Sequence, residues 1–337
     1  MSASPLPVVE VEGTPFEVGH ALGRQAGRAI HEQVRALAEF RALLPWRGHP
    51  YTTELEAAAR RRTPAYVQEI EGLAAGADWS FEEAFLWNAK GDLRAAGEPP
   101  GHGCTTLMAV EEGARWIVHN EDGAAAHRDD VFMVRARPAE GLAFTSFAYP
   151  GLICGNSFAV NAYGVVQTLD NVQARDGRVG VPRQLVARAL LDCAGLDGPL
   201  AILRGWTRAS GYHHGLAQAG DARLLAIEAP ASDVAARLVE DRHAHANHLI
   251  EEDLATLRQV VTPSSRRRQE RADERFVTAR ANALEVLFDE AVRAGGTALD
   301  DARTLATARF RLDDAAVHLE VFRDEPSAPV FTETVRR

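Results

Sequence analysis

The sequence predicts an α+β fold, and three observations predict it. The amino-terminal third carries helical periodicity, a run dense in Gly and Pro at Gly97–Gly103 ends that third, and short runs of strand type follow. Strands do not alternate regularly with helices, which disfavours a Rossmann fold or a TIM barrel and leaves a layered α+β architecture. With 46% apolar and 25% charged residues in 337, the composition is that of an ordinary globular chain. The whole chain, 1–337, reads as one domain.

The elements follow in order. Thr14-Pro15-Phe16-Glu17 is a capping box with proline at the first helical position. Gly19, Gly23 and Gly27 recur every four residues on the helix it starts, so they share one face. Glycine inside a helix costs about 1 kcal/mol against alanine, and a stripe of three implies that another backbone comes close. Ser80-Phe81-Glu82-Glu83 is a second box, opening the helix of Phe85, Leu86 and Trp87. Gly97-Glu98-Pro99-Pro100-Gly101-His102-Gly103 can be neither helix nor central strand. Cys104–Val110 and Arg115–His119 then flank a tight turn, and further strands fit Val131–Arg137, Leu142–Tyr149, Ser157–Val160, Val165–Leu169 and Leu224–Glu228. Helical pattern returns at Pro182–Cys193 and at Ala283–Ala294, the latter stopping at Gly295-Gly296. His213-His214, after Ser210-Gly211-Tyr212, reads as a solvated pair in a loop. Pro263 and the serines after it start a helix that lines Arg268, Arg271 and Arg275 along one side.

A net charge of -10 argues against a general nucleic-acid or anionic-membrane binder, which needs clustered Lys and Arg. No stretch approaches the roughly 20 apolar residues of a membrane span. Met1–Pro7 lacks the basic and apolar regions of a secretory signal, so the sequence reads as cytoplasmic. Three cysteines, Cys104, Cys154 and Cys193, are too few and scattered for a disulfide framework or a zinc knuckle. His243, His245 and His248 form an H-x-H-x-x-H cluster, but no carboxylate or cysteine stands at metal-ligand spacing beside it, and no metal is predicted.

The junction Gly103-Cys104 carries the chemistry. Glycine leaves its carbonyl unshielded and reaches geometries closed to other residues. The Cys104 thiol can attack that carbonyl in an N-to-S acyl shift, and hydrolysis of the thioester leaves Cys104 as a new amino terminus. A free α-amine titrates at about 7.7 and a thiol at about 8.5, so near neutral pH the amine is a usable base beside its own nucleophile. The bland alternative is a linker between two lobes with Cys104 a packed thiol.

Gly103-Cys104-Thr105-Thr106, His119-Asn120-Glu121-Asp122 and His245-Ala246-Asn247-His248, in this order, resemble the acyl-coenzyme A:6-aminopenicillanic acid acyltransferase family, which includes β-alanyl-amine hydrolases. The glycine stripe, the segment from Glu69 to Asn88 and the turn Asn161-Ala162-Tyr163-Gly164 fit it as well. The resemblance implies the four-layer αββα sandwich of N-terminal-nucleophile hydrolases. It implies autocleavage between 103 and 104 into a mostly helical 1–103 chain and a sheet-bearing 104–337 chain. It implies Cys104 as nucleophile, Asp122 as the group that holds the new α-amine, and Asn247 as an amide donor in the oxyanion hole, worth about 3 kcal/mol of barrier. Thr105, Asn120, Ser265, Arg268 and Arg311 are the further substrate-binding candidates, Arg311 as a lone cation in a strand-like run. His102 stands where the family has an acidic or polar residue.

The expected activity is that of a self-processing cysteine amidohydrolase or acyltransferase acting on small N-acylated amines or amino acids through a Cys104 thioester. The expected partners are that substrate and the cleaved amino-terminal chain. No cofactor is implied, and a coenzyme A thioester is the candidate co-substrate. The alternatives are a non-catalytic, uncleaved relative serving as a binding module, and a metal-dependent hydrolase built on the histidine cluster.

Overall fold

The computed structural model describes residues 5–95, 103–298 and 301–337. Gly97–His102, most of the breaker run and the His102 departure with it, lie outside them. After β1 (Val8–Gly13) come six helices: α1 (Pro15–Glu32), α2 (Ala38–Leu43), α3 (Pro50–Arg62), α4 (Pro64–Gly76), α5 (Phe81–Asn88) and α6 (Lys90–Ala95). A run of strands follows: β2 (Thr105–Glu111), β3 (Ala114–Ala124), β4 (Phe132–Pro138), β5 (Phe144–Ala148), β6 (Ala159–Asn161) and β7 (Val165–Asn171). Helices α7 (Arg183–Leu190) and α8 (Asp197–Gly205) precede β8 (Tyr212–Gln218), β9 (Leu224–Ala229), β10 (Ala235–Leu238) and β11 (Arg242–His245). The chain closes with α9 (Pro263–Ala272), a π-helical turn at Asp273–Thr278, α10 (Ala283–Leu287), β12 (Ala302–Leu312), β13 (Ala316–Phe322) and β14 (Phe331–Arg336).

These strands make two sheets, an eight-stranded one in the order β1-β4-β5-β6-β7-β8-β9-β10 and a six-stranded one in the order β11-β2-β3-β12-β13-β14. The fold is α+β. Inward residues of both sheets share one core: Phe158, just before β6, sits 5.0 Å from Phe147 of the larger sheet and 6.3 Å from Phe310 of the smaller, ring centre to ring centre. Helices α9 and α10 cover the other face of the smaller sheet, where Leu107, Ala109 and Val118 pack on Ala272, Phe276 and Leu287. No helix among the described residues is long and apolar enough to cross a membrane.

The capping box forms as expected, with Thr14 and Glu17 exchanging side-chain and backbone bonds. The glycine stripe meets a matching one on α4. A Cβ at Gly19 or Gly23 would lie 1.8 Å from the Glu69 carbonyl oxygen or 2.1 Å from that of Leu73, and one at Gly72 would lie 2.0 Å from that of Phe16. Gly27 is different: its Cβ would meet Ala77 at 3.7 Å, an ordinary contact. Gly72→Ala is therefore expected to force the helices apart and cost about 2–3 kcal/mol. Gly27→Ala is expected to stabilise by up to about 1 kcal/mol. Urea midpoints of the two variants moving the same way would refute the close-approach argument.

Three sequence expectations change. The second strand runs on past His119 to Ala124, because β12 pairs along its whole length. The helix expected at Ala283–Ala294 ends at Leu287, because the Asp289 carboxylate takes the Ala291 N–H at 2.9 Å and builds a turn instead. His213 and His214 are not a solvated loop pair; both are buried in β8. His213 Nδ1 bonds Asp170 of the neighbouring strand β7 and its ring stacks on His245 of the other sheet, partners that local composition does not reveal.

Candidate active site

Cys104 stands just before β2. The register pairs Thr105 with Asn120, so Cys104 faces Glu121 across the β2–β3 pair. Strand alternation turns Cys104, Thr106 and Met108 into the space between the sheets, and Thr105 and Leu107 toward α9. The sulfur is buried, and burial together with the charges of Glu121, Asp122 and Asp170 pushes the thiol well above its usual range. A cavity of about 90 Å³ opens beside it, with Lys90, Glu121, Asp122, Tyr149, Arg183 and Tyr212 among its walls. Lys90 pairs with Glu39 at 3.2 Å, and the Arg183 guanidinium lies over the Tyr212 ring at 4.2 Å.

On the α9 side one cation organises the junction. Arg268 donates to the Cys104 carbonyl, to Thr105 Oγ1 at 2.9 Å and to Asn247 Oδ1 at 2.5 Å. Ser265, in the first turn of α9, accepts the Asn247 N–H at 2.9 Å and donates to His248 Nδ1 at 2.8 Å. Burial lowers His248 to about 4 and keeps it a neutral acceptor. Gly103 packs into this corner so closely that a Cβ would come within 2.1 Å of Asn247 Oδ1 and 2.4 Å of Arg268 Nη2. Only glycine fits.

Cys104, Gly103, Thr105, Asp122, Asn247, Ser265 and Arg268 thus converge, although they come from segments up to about 160 residues apart in sequence. Asp122 accepts from Thr304 Oγ1 at 2.6 Å, and burial, partly offset by Arg268, lifts its carboxyl to about 7. Asn247 differs from the expected oxyanion donor. Arg268 can only donate, so it fixes Oδ1 toward itself, and the amide NH₂ turns away to the Asn171 carbonyl at 2.9 Å. Two candidates stand elsewhere. Asn120 faces the helical layer, donating to the Leu287 carbonyl and accepting from Thr307. Arg311 pairs with Asp313 at 3.0 Å and stacks by Trp116; it is seven positions along β12 from Thr304, roughly 23 Å. Strand alternation, not charge, decides both positions.

Behind Cys104 lies a hydrogen-bonded chain whose members were given no catalytic role from the sequence. Glu121 accepts from Tyr149 Oη at 2.7 Å, from Ser157 and from His119 Nε2 at 3.1 Å. Thr106 Oγ1 lies 2.9 Å from His119 Nδ1 and donates to Asp170 at 3.0 Å. Asp170 also takes His213 Nδ1 at 2.7 Å and His245 Nδ1 at 3.3 Å, and Glu228 holds the other nitrogen of His245 at 3.0 Å. Burial works against charge on His245, but bonds to both carboxylates outweigh it and raise the ring to about 9. Asp170 sits below the usual carboxylate range, the two histidines overcoming its burial.

Two triads, Cys104 with His119 and Glu121, and Asp170 with His213 and His245, each put donor atoms within 4.8 Å of one another. The second is a poor cage: the His213 and His245 rings stack at 3.7 Å only 10° from parallel, and one ion cannot lie in both ring planes. In the first, both nitrogens of His119 are already bonded.

The family model described as acyl-coenzyme A:6-aminopenicillanic acid acyl-transferase matches residues 109–320. That segment holds Asp122, Asn247 and every member of the buried chain but Thr106, and it begins five residues after Cys104. A β-alanyl-dopamine/carcinine hydrolase of Drosophila melanogaster is 27% identical over 225 residues, 59% of this chain and 57% of that protein. The chain therefore spans less than two thirds of that relative's length. The length of the family match and the order of the motifs place this chain in the acyl-coenzyme A:6-aminopenicillanic acid acyl-transferase family.

Proposed function

We propose that this protein is a self-processing cysteine amide hydrolase or acyltransferase of the N-terminal-nucleophile type, with the two sheets and their outer helices forming its αββα sandwich. The observation that carries the reading is the seating of Gly103-Cys104. The bond whose cleavage would expose the Cys104 thiol and its amine together lies at a strand end, beside a cavity, with Arg268 and Asn247 packed on it. The family and the hydrolase named among its relatives support amide chemistry.

Cleavage gives chains 1–103 and 104–337. The new α-amine of Cys104 takes the thiol proton as sulfur attacks the substrate amide carbonyl, and the same proton goes to the departing amine as the carbon–nitrogen bond breaks. Water, or an amine in the transferase direction, then attacks the thioester and returns sulfur to the thiol. Asp122, beside the new terminus, holds the ammonium form of the amine. The acyl donor is a small N-acylated amine or amino acid, with a coenzyme A thioester as the alternative donor.

Intact mass under denaturing conditions tests the reading. The wild-type protein is expected as two chains, and a quenched reaction with a panel of N-acyl amines is expected to add one acyl group to the 104–337 chain at its amino terminus. An undivided chain that takes no acyl group from any of them would instead favour an uncleaved binding module.

A further inference from the structure

Turnover uses the free amine of Cys104, and the first cleavage cannot. Until residue 104 is released its nitrogen is part of a peptide bond, with the lone pair delocalised into the carbonyl, and it cannot accept the thiol proton. The precursor needs another base. Resting on the reading that the Gly103–Cys104 bond is cut, we propose that Glu121, held by His119, Tyr149 and Ser157, is the base of the self-cleavage step.

Three observations select it. Glu121 lies on the face of β3 that Cys104 faces, and its carboxylate, the sulfur and a His119 nitrogen lie within 4.8 Å of one another, a gap that one water or a rotamer change spans. His119 is excluded by hydrogen-bond direction. The hydroxyl proton of Thr106 goes to Asp170, so Thr106 oxygen can only accept from His119 Nδ1, while His119 Nε2 donates to Glu121. With both nitrogens protonated, His119 has no site for a further proton. Asp122, one residue on, turns its carboxylate to Thr304 and is not in the triad.

The step balances without a co-reactant. The S–H bond breaks and its proton goes to a Glu121 oxygen. Sulfur bonds to the Gly103 carbonyl carbon, whose π electrons move to oxygen. As that oxyanion collapses, the C–N bond breaks, and the Glu121 proton goes to the Cys104 nitrogen. Water hydrolyses the thioester, giving hydroxyl to the Gly103 carbon and a proton to sulfur, and Glu121 ends as the carboxylate it began as. The His119–Thr106–Asp170–His245–Glu228 chain then acts as a positioning device. It alternates anion and cation through the interior, and it keeps His119 a donor toward Glu121.

The test follows cleavage by intact mass from the moment of synthesis. Glu121→Gln keeps size and removes the base, and is expected to slow cleavage at least ~100-fold with an unchanged circular dichroism spectrum. Wild type cut and Glu121→Gln cut within about three-fold of its rate would overturn the inference and leave the proposed function standing. Wild type uncut would remove the function reading first. If Glu121→Gln does not fold, Tyr149→Phe and Ser157→Ala decide. Each takes a donor from the carboxylate, makes it a stronger base, and is expected to shift the acid limb of the cleavage pH profile to higher pH. Profiles of both identical to wild type would overturn the proposal. The groups facing Glu121 are Cys104, His119, Asp122, Tyr149 and Tyr212; all remain in Ser157→Ala, so its shift reports on the carboxylate.

Discussion

Cys104→Ala is expected to leave the chain whole and to lower amide turnover at least ~10⁴-fold, while changing stability by no more than about 1 kcal/mol. The contrast is the point. The substitution removes one buried sulfur and touches none of the bonds that Arg268 makes at the junction, because these go to the Cys104 carbonyl and to the Thr105 and Asn247 side chains. A packing role would lower the melting temperature in step with activity; a nucleophilic one abolishes activity and cleavage at unchanged melting temperature. Calorimetry, denaturing mass and an N-acyl amine assay on one preparation separate the two. A whole Cys104→Ala chain with wild-type turnover would end the thioester reading.

The helices and most strands were legible in the sequence because their signals are local. Thr14-Pro15-Phe16-Glu17 caps itself, and the Gly19/Gly23/Gly27 stripe announces a close neighbour, though not that Gly72 and Gly76 of α4 supply the other half. Motif order pointed to the segments of Cys104, Asp122, Asn247, Ser265 and Arg268, which the structure brings together, but not to which way each side chain turns. It was not legible where the answer lay in which way a strand residue points. Asn120 lies between two inward residues, His119 and Glu121, and faces out; Arg311 sits at the wrong end of its strand. His213, Asp170 and Glu228 are far apart in sequence, and only the stacking of one sheet on the other brings them to His245. A single strand's composition contains no trace of that convergence.

Asp170→Asn is expected to be the most destabilising change in the interior, at about 3–5 kcal/mol. Asp170 accepts from Thr106, His213 and His245, and lies 3.7 Å from His119. An amide offers fewer acceptor sites, brings N–H groups that oppose the histidine donors, and leaves His245 and His119 as neighbouring buried cations without the anion between them. The dependence on pH follows from the shifts. His245 is raised to about 9, so its contribution is complete below its ordinary value of about 6.5 and disappears as pH rises through about 9. Asp170 is lowered, so its contribution is present above about 4 and is lost as pH falls further. Asp122, raised to about 7 by burial, runs the other way, weakening the fold as pH rises from about 4 to about 7. It is common to both proteins and cancels in their difference. Measured by urea unfolding in the uncut Cys104→Ala chain, the stability gap that Asp170→Asn opens is therefore expected to be widest near pH 5–6 and to narrow toward about pH 10. A gap of constant size across that range would mean that Asp170 stabilises by shape and hydrogen bonding alone, and that no charge alternates through the space between the sheets.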